Sequence, residues 1–101
     1  SWTWAQKPLS LVDEKARRYY EQGLAYFNQG NYEKAIPSLR EAIRLHPKDS
    51  TFHLLLGFIF FKMSRYDEAV EEYHKVIELD PDNLQVHHNL VAIYQRQEKP
   101  S

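Results

Sequence analysis

Five histidines and fourteen carboxylates are the side chains from which this 101-residue chain could build a metal site or an acid–base pair, since it holds no cysteine. A zinc site without thiolates needs imidazoles backed by carboxylates, and on a helix the useful spacing is a His pair at i and i+4. No two histidines stand at that interval. His87 and His88 are neighbours that point about 100° apart on a helix, while His53 and His87 are separated by 34 residues. Partly buried contacts between helices account for these imidazoles better than a metal does. Glu33, Glu41, Asp67, Glu68, Glu71, Glu72 and Glu78 read as solvated charge on polar helix surfaces. No serine, histidine and acid fall into an interpretable triad, and the three glycines form no phosphate-binding loop. The expectation is a chain with no catalytic residue, no metal and no cofactor.

The 34-residue interval between His53 and His87 is the period of the whole chain. Sliding residues 16–49 onto 50–83 gives seven identities: Gly23/Gly57, Phe27/Phe61, Tyr32/Tyr66, Ala35/Ala69, Ile43/Ile77, Leu45/Leu79 and Pro47/Pro81. Roughly two would arise by chance at ordinary residue frequencies. Tyr26/Phe60, Glu33/Asp67, Ile36/Val70, Ala42/Val76 and Asp49/Asn83 keep their chemistry. A third copy starts at Leu84, repeats His53, Leu56 and Ile59 as His87, Leu90 and Ile93, and stops after half a unit. The organisation is therefore an extension at 1–15, full units at 16–49 and 50–83, the first helix of a third unit at 84–97, and a tail at 98–101.

Each unit reads as two helices. A stretch from Ala16 to Gln29 is closed by Gly30, which can take the left-handed conformation that a helix end favours. Asn31 is placed to cap a second helix reaching about Leu45. Pro47 and Pro81 stop the second helices, and Asp49-Ser50 and Asp82-Asn83 supply the next caps. Pro37 removes one backbone hydrogen bond within its helix and should bend it slightly. Ser64 stands where Gly30 stood, so the second turn is less ideal.

The spacing Tyr19, Gly23, Tyr26, Ala35, Leu39, Ala42, Pro47, repeated as His53, Leu56, Gly57, Phe60, Ala69, Tyr73, Val76, Pro81, resembles the tetratricopeptide repeat. The small residues Gly23, Gly57, Ala35 and Ala69 suit such a repeat, because paired helices must approach closely there. The resemblance covers residues 16–94 and implies an all-α fold, a right-handed superhelix of antiparallel helix pairs with the first helix of each pair lining a concave face. It also implies a protein-binding role. The pentatricopeptide type, a helical solenoid of similar period that reads RNA, fits the residue pattern less well. A net charge of −1 also offers no footprint for nucleic acid or an anionic membrane.

Projected on a helical wheel, residues 51–63 are apolar nearly all round, with only Thr51 and Lys62 in a polar sector. His53, Leu56, Gly57 and Phe60 share the face expected to meet the partner helix, and Phe52, Leu55 and Ile59 share a second. Leu54, Phe58 and Phe61 share the third, which the resemblance places on the concave side. Their counterparts are Tyr20, Leu24 and Phe27 in the first helix and His88, Ala92 and Gln95 in the last. These side chains are either core between repeats or the floor of a groove that takes an apolar peptide or amphipathic helix. One subclass of the family clamps the terminal carboxylates of heat-shock chaperones with Lys, Asn and Arg. The matching positions here, Tyr20, Leu24, Leu55, Gln85 and Asn89, include no basic residue, so that clamp is expected to be absent.

The two ends carry apolar surface of their own. Trp2 and Trp4 lie in a segment outside the repeats and are expected to cap the first helix or to insert into a groove of the same or another molecule, where they would anchor self-association, the third reading being a disordered edge. Leu90, Ile93 and Tyr94 sit on a last helix whose partner is missing, which makes them candidates for self-association. The longest apolar run, Leu54 to Phe61, is far short of the roughly 20 residues of a membrane span. Ser1 in place of Met suggests an excised piece or a processed product. Taken together, the residues favour a non-catalytic protein-interaction module, with a homo-oligomeric scaffold as the alternative.

Overall fold

In the computed structural model, which describes residues 10–98, the chain forms five helices and no strand: α1 (Leu11–Asn28), α2 (Tyr32–Leu45), α3 (Ser50–Lys62), α4 (Tyr66–Leu79) and α5 (Leu84–Glu98). They make the expected all-α solenoid: α1 pairs with α2, α3 with α4, and α5 closes on α4. None of these helices is long and apolar enough to cross a membrane.

Both hairpins turn in the same way. Gly30 takes φ +74°, its N–H donates to the Phe27 carbonyl at 2.9 Å, and the Asn31 N–H reaches the Tyr26 carbonyl at 2.8 Å. This is the reciprocal bonding of a Schellman stop. Ser64 repeats it at φ +59°, with Arg65 N–H on the Phe60 carbonyl at 2.8 Å. A Cβ in this left-handed region costs about 1–2 kcal/mol, so the turn holds against the preference of its own residue. Asn31, Asp49 and Asn83 cap α2, α3 and α5 through their side-chain oxygens. Pro37 sits inside α2, as its position predicts.

The first helix begins at Leu11 instead of Ala16, so residues 11–15 of the extension belong to α1. A capping box explains the added turn. The Asp13 N–H donates to Ser10 Oγ at 3.1 Å, and the Ser10 N–H donates to the Asp13 carboxylate at 3.1 Å. The Ser10 bonds, with a further contact from the His46 ring, hold the Asp13 carboxyl below its ordinary range.

Burial runs through the middle of the stack. Leu39, Leu56, Ile59, Phe60, Tyr73, Val76, Val86 and Ile93 have essentially no exposed surface. The apolar circumference of α3 is thereby explained, since α3 meets α1, α2 and α4. Ala35 and Ala69 are fully buried where paired helices touch. Glu72 corrects the expectation of solvated charge. It is 5% exposed and faces His53, itself 4% exposed. His53 Nδ1 meets Glu72 Oε1 at 2.8 Å, and Lys75 Nζ donates to the other carboxylate oxygen at 3.1 Å. His53 Nε2 donates to the Pro47 carbonyl at 2.9 Å, and His87 Nε2 repeats the bond to Pro81 at 3.1 Å. The equivalent histidines thus tie each inter-unit loop to the helix that follows it.

Candidate functional site

The first helices of the three units border an open cavity of about 390 Å³, lined by Tyr20 of α1, Thr51, Leu54, Leu55 and Phe58 of α3, and Gln85 and Asn89 of α5. Leucines and aromatics reach this position because the opposite side of α3, carrying Leu56, Gly57 and Phe60, is already held by the paired helix. Of the residues expected to line a groove, Tyr20, Leu54 and Phe58 stand at this cavity. Phe27 and Phe61 extend the surface as an aromatic run. Phe27 lies 5.7 Å from Phe58 between ring centroids, Phe58 lies 6.2 Å from Phe61, and Phe61 lies 5.9 Å from Tyr66. Tyr32 joins the other end at 5.8 Å from Phe27. Leu24 is half-buried on the same face of α1 as Tyr20 and Phe27.

His88 is exposed and does not line the cavity. The rotational setting of α5 is fixed by burial of Val86, Leu90 and Ile93. That setting turns Gln85 and Asn89 toward α3, and His88 stands about 60° and 100° around the helix from them. Ala92 and Gln95, its companions on the wheel, line a separate cavity of about 610 Å³ with Tyr66 and Arg96. Asn89 is fixed in place, since its Oδ1 accepts from Gln85 at 2.9 Å and its Nδ2 donates to the Tyr73 hydroxyl at 3.1 Å. Burial pushes that hydroxyl up to about 12, against the pull of the Asn89 bond. The hydroxyl therefore stays protonated throughout the neutral range.

Neither cavity is lined by a carboxylate. Two cations approach the aromatic run instead. Lys62 Nζ lies 5.5 Å from the Phe58 ring centroid, and Arg96 Cζ lies 5.4 Å from that of Phe61. The Tyr66 hydroxyl is held below its ordinary range chiefly by Ser64 and further by Arg96. The helical wheel gives Lys62 only as part of a polar sector with Thr51, and nothing in the sequence reading singles out Arg96. Its signal was available, for Gln85, Asn89, Ala92 and Arg96 fall within about 60° on one side of α5.

The last helix corrects a second expectation. Leu90 and Ile93 are 7% and 0% exposed, because they complete the core against α3 and α4. The apolar side chains that α5 leaves in solvent are Leu84, Val91 and Tyr94. Trp2 and Trp4 lie outside the described residues.

Comparison with known proteins agrees with the fold. The tetratricopeptide repeat family profile matches residues 20–83. No curated protein sequence matches the chain. Among solved structures, the crystal structure of MamA superposes with a TM-score of 0.80 at 28% identity, over 82% of this chain and 48% of that one. A Pseudomonas aeruginosa pilF structure gives 0.76 at 30% identity, over 88% and 40%. The second TPR of Spaghetti (RPAP3), solved with the HSP90 peptide SRMEEVD, gives 0.79 over 83% and 78%, and at 19% identity it shows likeness of fold. The chain spans about half the length of the MamA chain it matches.

Proposed function

Because the chain belongs to the tetratricopeptide repeat family, a family of protein–protein interaction modules, we propose that it binds a peptide or short amphipathic helix in the groove between α1, α3 and α5. The observation that carries this reading is the cavity of about 390 Å³ floored by Tyr20, Leu54, Leu55 and Phe58 and continued by the Phe27–Phe58–Phe61 run. Phe58 and Phe61 are only half-buried in the chain alone. A ligand can therefore cover more of them, and covering an aromatic fully is worth roughly 1.5–3 kcal/mol before association costs. A neighbour of the same fold was solved with a peptide, and a peptide is the ligand class that this groove fits. The role proposed is recognition without catalysis.

The test is Phe58→Ala combined with Phe61→Ala, compared with the parent chain on one arrayed set of peptides. Affinity should fall at least tenfold, about 1.4 kcal/mol, while the circular dichroism of the helices is retained. Unfolding of the double variant would assign these rings to the core, and the docking role would be withdrawn.

Self-association through α5 is a second reading, favoured by Leu84, Val91 and Tyr94, which are 82%, 55% and 44% exposed. Leu90 and Ile93 cannot contribute while they are buried. Sedimentation from micromolar to millimolar concentration should show a dimer that Val91→Glu abolishes. A strict monomer throughout that range would remove this reading.

A further inference from the structure

Two cations approach the aromatic run of the groove, and no carboxylate lines either of its cavities. Leu54, Phe58 and Lys62 follow one another at i, i+4 and i+8 on α3, and Asn89 and Arg96 stand seven residues apart on one side of α5. Walking along the helices from the apolar cavity therefore leads to two cations, both resting on rings of the same aromatic run. Among the described residues, neither Lys62 nor Arg96 forms an ion pair. The other cation of this side, Arg17, is matched by Glu21 at 2.5 Å. Arg44 and Arg65, elsewhere on the surface, are likewise matched by Glu41 and Glu68. Lys15, Arg18, Lys34, Arg40 and Lys48 are unpaired as well among the described residues, but Lys62 and Arg96 are the unpaired cations that rest on the aromatic run, and no carboxylate lines either cavity.

We propose that the groove selects a peptide in which an aliphatic side chain is followed by an acidic one, the first filling the cavity at Leu54, Leu55 and Phe58 and the second meeting Lys62 and Arg96. This rests on the docking reading given above and specifies its ligand. The spacing follows from helix geometry. Seven residues from Asn89 to Arg96 rise about 10 Å, and an extended peptide covers that distance in about three residues. The recognised group is a side-chain carboxylate within the peptide, so a free C-terminus is not required.

Two other occupants fit less well. Residues 1–9 carry two tryptophans but no acid, and Lys7 would meet the two cations with like charge. The exposed acids of α4 in a second copy, Asp67, Glu71 and Glu78, have only Leu79, at the end of the helix, as a large exposed apolar neighbour.

The experiment uses C-terminally amidated peptides with Leu and, three residues later, Glu, Gln or Lys on a Gly/Ser background. In low salt the Glu peptide should bind at least fivefold more tightly than the Gln peptide, and the Lys peptide more weakly than either. The Glu advantage should shrink as salt rises, vanish in Lys62→Gln/Arg96→Gln, and reverse toward the Lys peptide in Lys62→Glu/Arg96→Glu. Both side chains are exposed, and circular dichroism checks each variant. The Glu-to-Gln exchange in the ligand tests the idea without altering the protein. Equal binding of Glu and Gln peptides, with both lost in Phe58→Ala/Phe61→Ala, would overturn the acidic selectivity and leave the groove standing. Failure of all three peptides to bind would overturn both. A tenfold preference for the free acid over the amide would also overturn it, by placing recognition at the terminus. Tighter binding of a peptide of residues 1–9, or a dimer that protects Lys62 and Arg96 from amine- and guanidine-specific reagents, would assign the groove to this chain itself.

Discussion

Glu72→Ala is expected to lower the stability of the domain by about 3 kcal/mol, between the cost of orphaning a neutral buried group and that of orphaning a buried charge. The carboxylate holds His53 at 2.8 Å and Lys75 at 3.1 Å, and the His53–Glu72 contact lies inside the α3–α4 interface. Removing it leaves the imidazole Nδ1 without a partner, in a place that water reaches poorly. For a domain of this length each kcal/mol lowers the melting temperature by about 4–8 °C, which thermal unfolding followed by circular dichroism resolves easily. Glu72→Gln keeps an acceptor oxygen and should cost about 1 kcal/mol. His53→Leu with Glu72→Leu should recover much of the loss, because a buried polar pair is often replaceable by apolar groups of similar volume. A single alanine variant within 1 kcal/mol of the parent would show that the pair does not hold the hairpin.

That contact also shows what one chain can and cannot reveal. The architecture was legible because Gly23/Gly57, Ala35/Ala69 and Pro47/Pro81 recur in strict register, and each marks a close approach or a helix stop. The caps at Asn31, Asp49 and Asn83 were legible because their chemistry is local. Glu72 was not, since α4 is rich in glutamates and nothing in its neighbours marks one of them as facing a histidine nineteen residues earlier. The start of α1 was not legible from the repeat, whose register begins at Ala16, while the capping box at Ser10 and Asp13 lies before it. Transfer by the period named His88 as a groove residue, yet the setting of α5 is decided by how Val86, Leu90 and Ile93 bury. Tyr20, Leu54 and Phe58 stand at the cavity on the side of each helix that the helical wheel gives directly.

Gly57→Ala should cost about 1–2 kcal/mol net. An added Cβ would come within 2.6 Å of Tyr73 Cε1 and 3.3 Å of Glu72 Cβ. Overpacking of this kind typically costs about 1–3 kcal/mol and occasionally more, against a gain of about 1 kcal/mol in helix propensity. The Tyr73 ring has little freedom to retreat, being fully buried and bound at its hydroxyl by Asn89. Its displacement would pull on Asn89, so the variant should also weaken ligand binding through the α5 wall of the cavity. Gly23→Ala meets Leu39 Cγ at 2.9 Å, the corresponding contact of the first unit, and should be milder because an aliphatic side chain can change rotamer. Equal melting temperatures for Gly57→Ala and the parent would show that the hairpin absorbs the methyl by moving α4.

The paired histidine bonds to Pro47 and Pro81 bear on the curvature of the solenoid. Each bond spans six residues and links the last carbonyls of one unit to the first turn of the next. The pitch of a solenoid is the sum of small rotations applied at every such junction. Here equivalent histidines, His53 and His87, hold the two junctions from the same position, so the rotation is written into the loop as well as into the packed faces. A chain extended by further copies of this unit would keep one winding for as long as that histidine recurs. At a copy without it, the groove would be free to open or tighten.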